Sequence, residues 1–80
     1  MKLKILILKN WCTKNITPLA WQRIVLKILP QLREKGFDLS ELENPSEERY
    51  FGEAEFGLFT QTLESMYGMT FPKEVLEKSQ

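Results

Sequence analysis

Between Thr17 and Gly36 the chain spells out one amphipathic helix with both ends marked. Threonine caps a helix by offering its hydroxyl to an early backbone amide, and Pro18 suits the first helical position, where its missing N–H is not needed. Apolar residues then recur at Leu19, Trp21, Ile24, Val25, Ile28, Leu29 and Leu32, at spacings that put them on one face. Lys35-Gly36 sets a cation in the last turn and a glycine just past it, which is a natural stop. The pattern predicts a helix over about 17–35. Pro30 lies inside it, removes one backbone hydrogen bond and crowds the preceding turn, so a kink or break is expected near Ile28–Leu29.

That apolar stripe has to be buried, and only 80 residues are available to cover it. This length gives one domain, residues 1–80. Cys12 is the single cysteine and there is no histidine, so neither an internal disulfide nor a Cys₂His₂ or Cys₄ zinc site can staple the fold. Hydrophobic packing must hold it, and a chain that is 42% apolar and 11% aromatic has the material.

The covering elements are legible in turn. Asp38-Leu39-Ser40-Glu41 has capping-box spacing and predicts a short helical turn at 38–43, ended by Asn44-Pro45. Ser46-Glu47-Glu48 is another helix-start signal, with acids in the first turn. Gly52 and Gly57 weaken a helix through this stretch by about 1 kcal/mol each relative to alanine, so a firm helix is expected over 53–67. Its stripe is Phe56, Phe59, Leu63, Met66 and Tyr67, and Gly68 stops it. Thr70-Phe71-Pro72 opens a last short helix over 71–79, with Val75 and Leu76 as its apolar contacts.

Residues 2–9 alternate Lys2/Lys4 with Leu3/Ile5 and carry β-branched Ile5 and Ile7, which favours a strand. A lone strand cannot satisfy its own backbone. It needs a partner, either a short extended piece such as 68–71 or the same strand of a second copy; otherwise the segment is a helix or a docked arm. The expected fold is therefore mainly α: a small helical domain, with an N-terminal strand at 2–9 only if a partner strand exists.

The tail Leu63-Glu64-Ser65-Met66-Tyr67-Gly68-Met69-Thr70-Phe71-Pro72-Lys73-Glu74-Val75 resembles acyl carrier proteins, which leave their second helix through a leucine-glutamate pair and an aromatic-glycine stop before an apolar-proline start. Phe51-Gly52-Glu53-Ala54-Glu55-Phe56 is loosely similar to the segment holding their phosphopantetheine serine. Glu55 stands in that position and cannot be modified. The helix between is shorter than theirs, no fourth helix follows, and the likeness covers less than a third of the chain. It implies a helical fold and no carrier function.

The total charge is zero and conceals a division. Residues 1–35 carry eight cations against Glu34 alone, net +7, and residues 36–80 carry three cations against ten acids, net −7. Either the halves face and compensate each other in the fold, or the surface is dipolar and one patch recognises a partner. A cytoplasmic address is expected, because the uninterrupted apolar run Ile5–Leu8 is too short for a signal peptide and no stretch approaches a membrane span.

Catalysis is not expected. The missing histidine removes the commonest general base. Lys9 and Lys14 flank Cys12, yet no base is present to activate it. Glu53 and Glu55 point to different sides of a helix and cannot flank one bond. Gly52 and Gly57 match no phosphate-loop spacing. No cofactor and no metal are expected.

Binding remains. Six glutamates between Glu41 and Glu55 surround Tyr50 and Phe51. Exposed aromatic rings among acids can anchor on a basic protein while the charges steer encounter; if both rings are core, the glutamates only solvate a loop. The expected function is a non-catalytic protein-interaction module, an adaptor or inhibitor, using Glu47, Glu48, Tyr50, Phe51, Glu53 and Glu55. One alternative is a nucleic-acid-binding or regulatory protein using Lys14, Arg23, Lys27 and Lys35. Another is a structural subunit that homodimerises through residues 2–9.

Overall fold

A computed structural model describes residues 3–75. Its elements are β1 (Leu3–Lys4), α1 (Ile5–Asn15), α2 (Pro18–Arg33), α3 (Leu39–Glu43), β2 (Tyr50–Phe51) and α4 (Glu53–Tyr67). The domain is mainly α with one small antiparallel sheet, in which Leu3 pairs with Phe51 and Lys4 with Tyr50. α2 is the central helix and packs against α1, α3 and α4.

Three helices begin and end where their punctuation says. The Thr17 hydroxyl accepts from the Ala20 amide at 2.9 Å, with Pro18 opening α2. Past Arg33 the Phe37 amide returns to the Leu32 carbonyl at 3.1 Å, across Gly36 at φ 92°. Asp38 caps α3 by accepting from the Glu41 amide at 2.9 Å. α4 ends at Gly68, which adopts φ 64° and donates its amide to the Glu64 carbonyl at 2.8 Å. A side chain would strain both positive-φ glycines.

Other expectations are corrected. Among the described residues the strand expected over 2–9 covers Leu3–Lys4, because residues 5–9 belong to α1; Lys2 lies outside the described residues. Ile5, Leu8 and Cys12 succeed one another at helical spacing and are all buried, so packing outweighs the β preference of Ile5 and Ile7. The strand's partner is β2 and not 68–71. α1 has no side-chain cap; its Ile5 amide instead donates to the Arg49 carbonyl at 3.1 Å, next to β2.

Pro30 does not end its helix. α2 runs through it to Arg33, with Pro30 exposed and Ile28, Leu29 and Leu32 buried around it, so core contacts hold the last turn despite the lost bond. Ser46-Glu47-Glu48 starts no helix; it forms a turn in which the Arg49 amide reaches the Ser46 carbonyl at 3.2 Å, and the chain then extends to meet β1. Of the helix expected over 71–79, residues 73–75 are helical and 71–72 are not, while 76–79 lie outside the described residues.

The core is one cluster in which Trp21, Phe51 and Phe59 are the largest fully buried side chains. The Trp21 and Phe59 rings lie 6.1 Å apart, joining α2 to α4. Phe71 is buried beyond the end of α4 and meets Trp11 edge-on at 5.1 Å and Phe56 at 5.9 Å. The post-α4 segment is thereby held against both α1 and α4. Leu19, expected in the inward stripe, is 53% exposed, and Ala20 is buried in its stead.

Candidate interaction surface

Charge is segregated by helix. α1 and α2 contain no acid, whereas α3 and α4 contain no cation. Among the described residues two ion pairs form. Lys35 meets Glu55 at 3.5 Å and links the basic half to the acidic half; Arg49 donates to Glu41 within the acidic half. Lys9 donates across the divide as well, to the Glu43 backbone carbonyl. Compensation between the halves is thus local, and most of the charge stays at the surface.

The six residues of the expected acidic-aromatic site part company. Tyr50 and Phe51 are neighbours in a strand and point to opposite faces, so one ring is 39% exposed and the other fully buried. Phe51 packs in the core against Phe37, with ring centroids 5.6 Å apart, and cannot anchor a partner. Glu55 is half-buried and engaged by Lys35. Glu47 and Glu48 in the turn, Tyr50 in β2 and Glu53 at the start of α4 are exposed, which leaves four residues within seven positions. The nearby cation Arg49 is taken up by Glu41.

The basic set divides too. Lys14, Arg23, Lys27 and Lys35 are all exposed, but Lys35 is paired with Glu55. Arg23 and Lys27 stand one turn apart on the outer side of α2, beside Leu19 and Leu26, which are 53% and 60% exposed. Those two leucines and Tyr50 are the large apolar residues most exposed among the described residues. Leu26 lies outside the inward stripe, so the stripe gives no hint of it. The signal that marks both leucines is angular: at 100° per residue they fall opposite Trp21, Ile24, Val25, Ile28, Leu29 and Leu32.

Of the apolar residues in the segment offered for the alternative dimer, Leu3, Ile5 and Leu8 are buried inside the chain's own core, while Leu6 and Ile7 are half-buried. Cys12 is buried as well, and burial pushes its thiol up to about 11, away from the reactive thiolate. Asp38 is held below the usual carboxylate range, chiefly by the Glu41 amide and then by the Ser40 hydroxyl, so its charge serves the α3 cap. Among the described residues no group of three or more potential ligands is placed to hold a metal ion, and no helix is long and apolar enough to cross a membrane.

No family model matches the chain, and no curated protein or solved structure matches it either. The likeness of the tail to acyl carrier proteins therefore stays a likeness of helix punctuation.

Proposed function

We propose that this chain is a non-catalytic protein-interaction module of the cytoplasm, an adaptor or inhibitor that grips a basic partner through Glu47, Glu48, Tyr50 and Glu53. The observation that carries the reading is the exposed ring of Tyr50, bracketed by three exposed acids while Arg49 is occupied by Glu41. A half-exposed tyrosine offers apolar area at low cost in side-chain freedom, and its hydroxyl still finds water or a donor. Surrounding acids raise the encounter rate with a basic surface and disfavour acidic ones. Phe51 supports the site from within by fixing β2, and Glu55 by tying α4 to the end of α2.

The test is affinity capture with the wild-type chain and two variants, one with Glu47→Lys, Glu48→Lys and Glu53→Lys, the other with Tyr50→Ala. Glu55 stays intact to preserve its pair with Lys35. A partner retained by the wild type and lost from both variants, each with an unchanged circular dichroism spectrum, is the expected result. Equal capture by all three forms would remove these residues from the interface.

A further inference from the structure

The outer side of α2 has the composition of an interface independent of the Tyr50 surface. Taken at 100° per residue, the positions farthest from its buried side are Leu19, Arg23, Leu26, Pro30 and Arg33, with Lys27 beside them. All six are exposed. The two leucines expose more than half of their surface, and solvated helix faces ordinarily carry polar residues there. No acid occurs anywhere in α2, and among the described residues none pairs with Arg23, Lys27 or Arg33.

From this we infer that the α2 crest docks an acidic amphipathic helix of another protein, whose apolar stripe covers Leu19 and Leu26 while its flanking carboxylates meet Arg23, Lys27 and Arg33. Charge selects the occupant, because three unpaired cations along one face favour an acidic partner and repel a basic one. The leucines select its form. Two apolar anchors seven residues apart match the two-turn repeat of a helix laid alongside, as in coiled-coil seams. A notch of about 90 Å³ between α2 and α3, lined by Trp21, Gln22, Val25, Leu26, Leu39 and Glu43, adjoins the crest at Leu26 and is open to an apolar side chain there, its one carboxylate belonging to α3. A phosphate backbone would use the cations and have no use for the leucines.

The probe is a synthetic helix-forming peptide with leucines at heptad spacing and glutamates on both flanks, labelled for fluorescence anisotropy. Its control replaces every glutamate with lysine. The wild-type chain is expected to bind the acidic peptide and not the basic one. Leu19→Ala with Leu26→Ala, and separately Arg23→Glu with Lys27→Glu, are each expected to weaken binding by at least about tenfold. All four side chains are exposed, so the variants should keep the wild-type helical spectrum. Three results would overturn the inference: no binding of the acidic peptide; loss of binding in the charge variant alone, with a single-stranded oligonucleotide behaving alike; or a wild-type dimer in sedimentation that Leu19→Ala with Leu26→Ala dissolves, which would give the face to a second copy. The triple lysine variant of Glu47, Glu48 and Glu53 should bind the peptide undiminished, so failure of the Tyr50 surface and failure of the α2 crest are separable.

Discussion

The indole Nε1 of Trp21 donates a buried hydrogen bond to the backbone carbonyl of Leu42 at 3.2 Å, and this one contact fastens α3 to the central helix. α3 is five residues long, too short to stand without tertiary support. Leu42 is fully buried beside the bond and gives the same junction its apolar half.

Trp21→Phe keeps most of the ring and removes the donor, stranding a buried carbonyl. The expected loss is about 1–3 kcal/mol, read as a lower urea midpoint by circular dichroism at unchanged m-value. A midpoint equal to wild type would mean that the carbonyl finds another donor.

Two glycines predict opposite signs. Gly57 is exposed in the interior of α4, at an ordinary helical φ, with open space where a Cβ would go. Gly57→Ala should stabilise by about 0.5–1 kcal/mol. Gly68 has open space too, but its φ of 64° penalises an L side chain, so Gly68→Ala should destabilise by about 1 kcal/mol. Thermal melts of the two variants, compared with wild type, check both signs.

Cys12 should resist thiol reagents at pH 8 in the folded chain and react at the rate of a free thiol in denaturant, since burial keeps it protonated. A thiol whose folded value is raised to about 11 stabilises the fold fully below its ordinary value, and that contribution fades as pH climbs through about 11. The stability gap between wild type and Cys12→Ala is therefore expected to shift against wild type across that alkaline range, measured by urea titration at successive pH values.

Asp38 titrates in the other direction. Its carboxyl is depressed by the α3 cap, so its contribution is complete above its ordinary value of about 4 and disappears as pH falls through the lower folded value. Asp38→Ala should lower stability at pH 7. The deficit should be smaller in strong acid than at neutral pH, which paired chemical denaturation at pH 7 and pH 2.5 would reveal.

Helix boundaries were readable where local chemistry sets them: Thr17 and Pro18 at the start of α2, Asp38 at α3, Gly68 after α4. Residues 3–9 were not, because their state depends on residues far along the chain. Leu3 pairs with Phe51, and the first amide of α1 is satisfied by Arg49, neither of which leaves a trace in a local pattern. The same long-range pairing decides the candidate site. Once β2 forms, alternation sends Tyr50 out and Phe51 in, and a cluster with two aromatic rings in its sequence has one anchor at its surface. The exposed side of α2 was legible and missed: at 100° per residue Leu19 and Leu26 fall opposite Trp21, Ile24, Val25, Ile28, Leu29 and Leu32, yet Leu19 reads as part of the inward stripe when spacing alone is followed.

Helices that each carry a single sign of charge, in a chain whose formal total is zero, leave the molecule with patches of opposite sign and no net monopole. The attraction it exerts then depends on orientation and decays with distance more steeply than that of a net charge. With salt screening over about 8 Å in physiological conditions, the steering that each charged patch exerts on a partner is confined to roughly that range of approach. Selectivity of that kind is short-ranged, so it should weaken further as the salt concentration rises.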